Sequence, residues 1–214
     1  MVGHIGETSS AIREYERQLS ADEKYERLLG QETVSTNDFV AGLQGEFGSE
    51  KNRRYGSIIV RNGLWKESLA LAFHNDCRVA FRASWALEWA YLHKKDAFAP
   101  YCVNFFENFL RVTNPSVLRH YGKILYDMLR CGLFVPDDFQ AAQVAERAFD
   151  LLTGGKIKSA VRIWAAEILY ELSPRIDWVR ETLEDIIRHQ IETMPTPAIL
   201  NHYGKLLKRM AGKK

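Results

Sequence analysis

The chain has 214 residues, of which 46% are hydrophobic and 26% are charged, and its formal net charge at pH 7 is +2. A chain of this length and composition is predicted to fold as a globular protein that buries roughly 70% of its unfolded surface. No run approaches the ~18 consecutive apolar residues that a membrane span needs, and the first ten residues lack the order of a signal peptide. These features argue against a membrane protein and predict a cytoplasmic one.

Charge and cysteine content narrow the expectation further. Residues 1–48 contain four Lys/Arg and nine Asp/Glu, net −5, whereas residues 49–214 contain 25 and 18, net +7. Such asymmetry is typical of a polyanion partner for the basic part, or of an uneven solvated surface. Cys77, Cys102 and Cys131 are far apart and odd in number. They are therefore expected to be reduced thiols.

The first predicted helices lie in the acidic segment, residues 1–48. Ile12 and Leu19 belong to a thin apolar stripe with helical spacing, and Thr36 is predicted to open a second helix that runs through Phe47. This segment is too polar to form its own core. We expect an extra N-terminal helical segment that packs on the remainder of the chain or on another copy, so a homo-oligomer formed through it is one possible assembly.

From Ser49 onward, almost every segment has apolar residues three and four positions apart, and strand signals are nearly absent. Gly63 is predicted to end the first of these helices. Asn114 and Thr196 each precede a proline, which places a capping residue before a proline at the first helical position. The predicted fold class is therefore all-α, with residues 49–214 forming a helical-repeat domain.

A repeated pattern organises this domain. HYGK occurs at residues 120–123 and again at residues 202–205, each time within a longer likeness. Alignment predicts four repeat helices, with anchors 38, 44 and 38 residues apart at Val79, Val117, Val161 and Ile199. Five positions after each anchor stands a small residue, namely Ser84, Gly122, Ala166 and Gly204. Positions 0, 4, 7, 8 and 11 fall on one side of a helix and predict its buried stripe. The small residue would allow a neighbouring helix to approach closely.

A period near 40 residues with a Val anchor, a small residue and a Leu resembles the HEAT and armadillo families of helical repeats, over roughly residues 60–212. The resemblance implies a right-handed α-α superhelix, or solenoid, whose concave surface is lined by the repeat helices. Asp76 and Arg82 flank the first anchor as in HEAT repeats, whereas the other repeats place Asn114, Lys158 and Thr196 at the Asp position. Such proteins bind proteins, peptides or nucleic acids more often than they catalyse reactions.

A polar stripe lies beside the buried one, at positions three, six and ten after each anchor, and contains no aliphatic residue. Nine of its members form the predicted binding surface: Arg82, Trp85, Trp89, His120, Lys123, Trp164, Glu167, His202 and Lys205. The remaining members are Asp127, Glu171 and Arg209. Aromatic and cationic side chains together suit an anionic or extended partner. The alternative is that the tryptophans seal gaps between helices and the stripe is a solvated side.

These observations predict a non-catalytic binding or scaffold module for a protein or peptide. Acidic members such as Glu167 interrupt the positive charge, which makes a peptide partner at least as credible as nucleic acid. The alternative is nucleic-acid binding, including repair, because DNA glycosylases that excise alkylated purines resemble this chain in their HEAT-like repeats. That resemblance implies roles for Trp85, Trp89 and Trp164 with Glu167 or Asp127. No catalytic residue, metal site or cofactor is assigned, since the sequence lacks phosphate-loop and paired metal-ligand spacings.

Overall fold

A computed structural model describes residues 34–45 and 47–212. The described residues form helices joined by turns and contain no strand, which confirms the predicted all-α class. The helices are α1 (Thr36–Gln44), α2 (Ser49–Asn62), α3 (Trp65–Ala70), α4 (Cys77–His93), α5 (Lys95–Phe98), α6 (Cys102–Arg111), α7 (Pro115–Arg130), α8 (Asp138–Thr153), α9 (Ser159–Leu172), α10 (Asp177–Thr193) and α11 (Pro197–Gly212), with 3₁₀ turns at Leu71–Phe73 and Ala99–Tyr101.

The helix ends are set by capping residues and by a glycine that the sequence predicts. Gly63 adopts φ 65° and ends α2, a left-handed conformation that costs glycine little. Asn114 accepts a hydrogen bond from the backbone N–H of Ser116, and Pro115 occupies the first position of α7. The Thr196 hydroxyl accepts from the backbone N–H of Ile199 at the start of α11. The predicted boundaries at these three sites are confirmed.

The repeat helices are α4, α7, α9 and α11, and each packs against the next. Their anchors Val79, Val117, Val161 and Ile199 are all buried. Helix α2 packs on the other side of α4, so that α2, α4, α7, α9 and α11 follow one another in contact. Helices α8 and α10 both contact α9 and contribute their apolar sides to the core.

Part of the predicted N-terminal segment lies within the described residues. Helix α1 ends at Gln44 instead of Phe47, is capped by Ser35, and buries Phe39 and Leu43 as it packs on α4. The prediction for residues 1–33, including any contact with a second copy, lies outside the described residues. Among the helices that the structure describes, none is both long enough and apolar enough to cross a membrane.

Candidate functional site

The polar stripe begins on α4, where Arg82 contacts the end of α1 and both Arg82 and Trp85 contact Phe47. The Arg82 guanidinium donates hydrogen bonds to the backbone carbonyls of Leu43 and Gly45, and it lies 5.6 Å from the ring centroid of Phe47. Trp85 is half-buried, with its ring 5.8 Å from that of Phe47. Both side chains therefore help to hold the end of α1 and the following loop against α4.

Between α4 and α7, the stripe forms a charged cluster around Glu88. The Glu88 carboxylate contacts His120 Nδ1 at 2.5 Å and Lys123 Nζ at 2.5 Å. Burial of Glu88 raises the pKa of its carboxyl, but the hydrogen bonds and charges of His120 and Lys123 outweigh burial and leave this pKa lowered. The ring of Trp85 stacks over His120 at 6.4 Å. Two residues of the predicted surface thus hold neighbouring helices together.

A second polar contact joins the same pair of helices. The buried Tyr91 hydroxyl donates to the Asp127 carboxylate at 2.6 Å, and Lys95 lies 2.5 Å from the same carboxylate. Burial and the hydrogen bond to Asp127 raise the pKa of Tyr91 well above its usual range. Asp127 is one of the carboxylates that the glycosylase resemblance would use. Here it is bound by two side chains.

Two tryptophans of the stripe rest on glycines of the preceding helix. Trp89 is only 8% exposed, and a Cβ added to Gly56 of α2 would lie 2.4 Å from its ring. A Cβ added to Gly122 of α7 would lie 2.7 Å from the Cβ of Trp164 on α9. Trp164 also contacts Tyr126, with ring centroids 5.6 Å apart. Glycine on one helix and tryptophan on the next thus allow two close helix approaches.

The stripe residues of α9 and α11 form a third contact between neighbours. Glu167 is 8% exposed and lies 2.5 Å from the guanidinium of Arg209, which also stacks over the ring of Tyr170 at 4.8 Å. Burial lowers the pKa of Arg209, but the hydrogen bond and charge of Glu167 outweigh burial and raise it. Glu167, the other carboxylate suggested by the glycosylase resemblance, is therefore engaged in an ion pair.

The contacts distinguish two sides of the repeat helices. The stripe residues His120, Lys123 and Trp164 contact the preceding helix, whereas Glu167, at position six of α9, contacts the following helix. The opposite side is centred on positions five and nine, which face the following helix, as with Gly122 and Glu88. Position nine holds Glu88, Tyr126 and Tyr170, a polar and aromatic column that was not assigned a role from the sequence. Its regular recurrence is the signal that could have identified it.

The last repeat helix, α11, presents this forward side to solvent. His202 and Lys205 of the predicted surface are exposed. Leu200 is 45% exposed, whereas its counterpart Leu118 in α7 is 3% exposed. A Cβ added to Gly204 would meet no atom within 4 Å, in contrast to Gly122. We name the α11 face as the residues on this side of α11, at positions one, five, eight, nine and twelve: Leu200, Gly204, Leu207, Lys208 and Ala211.

The predicted binding surface is thus mostly divided among contacts between neighbouring helices, and α11 carries its exposed members. Within residues 34–45 and 47–212, no group of three or more His, Cys, Asp or Glu side chains is arranged to hold a metal ion. Comparisons of the chain with protein-family models, curated proteins and solved structures find no match. The arrangement itself therefore carries the functional argument.

Proposed function

We propose that this chain is a non-catalytic helical-repeat scaffold that binds a protein partner by accepting a partner helix on the α11 face. The observation that carries the proposal is the difference between the two copies of HYGK. In the first copy, Gly122 lies against Trp164 of α9 and Leu118 is buried. In the second copy, Gly204 has open space before it and Leu200 is half-exposed.

Close packing explains why the first copy has its sequence. A glycine allows the backbone of the next helix to approach, and the neighbouring leucines then contact that helix along its length. The second copy has the same glycine, Gly204, and the neighbouring leucines Leu200 and Leu207. A glycine within a solvated helix costs roughly 1 kcal/mol relative to alanine. A partner helix that packs on Gly204 would offset this cost through close contact with the α11 backbone, as α9 does at Gly122.

The charges of α11 indicate what the partner helix would carry. Lys208 occupies the position at which Glu88 and Tyr126 contact the next helix, and Pro197–Gly212 contains no Asp or Glu. A partner helix with an aromatic or aliphatic residue over Gly204 and an acidic residue near Lys208 would complement this face. We therefore infer an amphipathic, acidic helix as the class of partner.

The finer architecture belongs to the same proposal. The row of contacts that runs through α2, α4, α7, α9 and α11 supports a HEAT-like or armadillo-like superhelix, since in such solenoids each repeat contacts only its neighbours. In a solenoid, a partner helix on the α11 face would extend the row by one member. The scaffold would then bind its partner by the same packing that holds its own repeats together.

Site-specific photo-crosslinking in the cells that produce this protein tests the proposal. A photoreactive residue at Lys208 or Ala211, both exposed on the α11 face, is expected to yield a discrete protein adduct. The adduct should disappear when Leu200→Asp is added. A photoreactive residue at the exposed His189 of α10 serves as control. Adducts of equal yield at all three positions, or an adduct insensitive to Leu200→Asp, would refute the proposal.

Nucleic-acid binding is the second candidate, favoured by the same helix. His202, Lys205, Lys208 and Arg209 all lie on α11. The adduct distinguishes the two candidates, because nuclease would remove a nucleic-acid adduct and protease a protein one. Titration of the chain with DNA is a further test, since binding that rests on phosphate contacts weakens steeply as salt rises. Binding that depends on Leu200 burial would change much less.

A further inference from the structure

A second surface lies on the other helices of the repeats, where α8 meets the start of α10. Phe149 and Trp178 stack there with ring centroids 5.3 Å apart and an interplanar angle of 20°. Trp178 is nevertheless 57% exposed, and Phe139 at the beginning of α8 is 73% exposed. Large aromatic side chains are costly to leave in water and are enriched at binding hot spots. The stack forms one wall of an open pocket that Ile176 also lines.

The pocket runs along α8. Its lining includes Asp138, Ala142, Glu146 and Asp150, which follow one another at intervals of four residues. This spacing places them on one side of the helix, away from the buried Val144. Twelve residues of helix rise about 18 Å, so the groove offers contact along roughly three turns. That length fits a helix of similar size lying alongside.

The charge of this groove is strongly negative. Asp138, Glu146 and Asp150 contribute three carboxylates, and the described residues that line the pocket include no Lys or Arg. An ion pair joins Asp138 to Arg175 at 3.7 Å, and the Asp138 side chain is fully exposed there. Such a pair at the surface contributes little and is easily exchanged. An acidic surface repels nucleic acid and anionic membranes, and attracts basic peptides.

We propose that this acidic aromatic groove binds a basic amphipathic helix of a partner protein. The apolar side of that helix would pack on Trp178, Phe149 and Ile176, in the helix-in-groove mode of peptide recognition. Its Lys or Arg side chains would pair with Glu146 and Asp150, and one would lie over the indole face of Trp178. The groove involves none of the residues of the α11 face, so this proposal is independent of the one above.

Fluorescence anisotropy of a labelled model peptide tests the proposal on the full chain. The probe is a Lys/Leu amphipathic helix of about 16 residues, long enough for the groove. One control peptide has the same composition in scrambled order. The other has the sequence of the probe with Glu in place of Lys. We expect the probe to bind with micromolar affinity and the two control peptides not to bind. Affinity for the probe should weaken severalfold when the salt concentration rises from about 50 to about 300 mM, because salt screens the charges.

Variants locate the binding. Trp178→Ala should weaken binding of the probe tenfold or more, as expected of an aromatic hot spot. Glu146→Gln with Asp150→Asn should weaken binding about fivefold and flatten its salt dependence. The matched controls are Phe73→Ala, which removes an aromatic that is 43% exposed elsewhere, and Glu192→Gln, which removes an exposed carboxylate of α10.

Two results would overturn the proposal. One is equal loss of binding in the groove variants and in the matched controls. The other is equal affinity for the amphipathic and scrambled peptides, which would indicate adhesion to charge alone. Because Trp178 also covers Phe149, its variant is checked for helix content by circular dichroism. Ala142→Arg, which places a cation in the groove, gives a second test that avoids this contact, since Ala142 is exposed and lines the groove. It should weaken binding of the probe severalfold while leaving the thermal midpoint unchanged.

Discussion

The two HYGK glycines should respond differently to the same substitution. Gly204→Ala places a Cβ where no atom lies within 4 Å. Alanine is favoured over glycine in a helix interior by about 1 kcal/mol, so this variant should be more stable than the wild type by about that amount. Gly122→Ala places its Cβ 2.7 Å from the Cβ of Trp164. Real Cβ contacts are essentially never this short, so something must shift.

The size of the difference follows from what must move. The obstructing atom at Gly122 is the Cβ of Trp164, which is fixed to the backbone of α9 and cannot rotate away. Helices α7 and α9 must therefore separate, and overpacking of this kind costs about 1–3 kcal/mol. The helix-propensity gain is common to both variants and cancels when they are compared. Gly122→Ala should thus be less stable than Gly204→Ala by about 1–3 kcal/mol.

Thermal and urea unfolding, monitored by far-ultraviolet circular dichroism, measures both variants. For a chain of this size, 1 kcal/mol corresponds to about 2–4 °C in the midpoint of unfolding. Gly204→Ala should raise this midpoint by about that amount, and Gly122→Ala should leave it unchanged or lower it by up to about 8 °C. An equal rise for both variants would show that α7 and α9 do not approach closely at Gly122. It would then remove the main support for the proposal that the α11 face binds a partner helix.

Three further predictions concern side chains that join the helices, and each is measured by chemical unfolding. Leu118→Ala should reduce the free energy of unfolding by about 2–5 kcal/mol because Leu118 is buried, whereas Leu200→Ala should reduce it by about 1 kcal/mol or less. Glu88→Gln should reduce stability at pH 7 by about 1–3 kcal/mol. Because the pKa of Glu88 is lowered in the folded state, its carboxylate stabilises the fold above the unfolded pKa. This contribution is lost as pH falls, so Glu88→Gln should lose less stability between about pH 5 and pH 3 than the wild type. Tyr91→Phe should reduce stability by about 1.5–3 kcal/mol, since it removes a hydrogen bond to the charged Asp127.

These predictions can each fail separately. Similar losses for the two leucine variants would mean that the α11 face is covered in solution. An unchanged acid profile for Glu88→Gln would mean that the carboxylate has no favourable partners. A neutral Tyr91→Phe would mean that water replaces the hydroxyl without cost. Thr182→Val, on an exposed stretch of α10, provides a control for the loss of a single hydroxyl hydrogen bond near solvent.

Local sequence determined the helices and their buried sides. Gly63 and Asn114 act on their own neighbours within a few residues, so their effects do not depend on the rest of the fold. The repeated spacing after Val79 and Val117 likewise reports which side of each helix avoids water. For these reasons the all-α class, the boundaries at these residues and the buried anchors were predictable.

Only the tertiary structure decided which polar residues meet water and which meet a neighbouring helix. His120 and His202 share the same sequence context, yet His120 contacts Glu88 and His202 is exposed. Periodicity records the side of a helix on which a residue lies, but its environment there depends on a helix some 40 residues away. The exposure of Trp178 was unpredictable for the same reason, because tryptophan at a helix start suits either a core or a surface. Packing between distant segments separates the two outcomes, since burial depends on what the neighbouring helix brings.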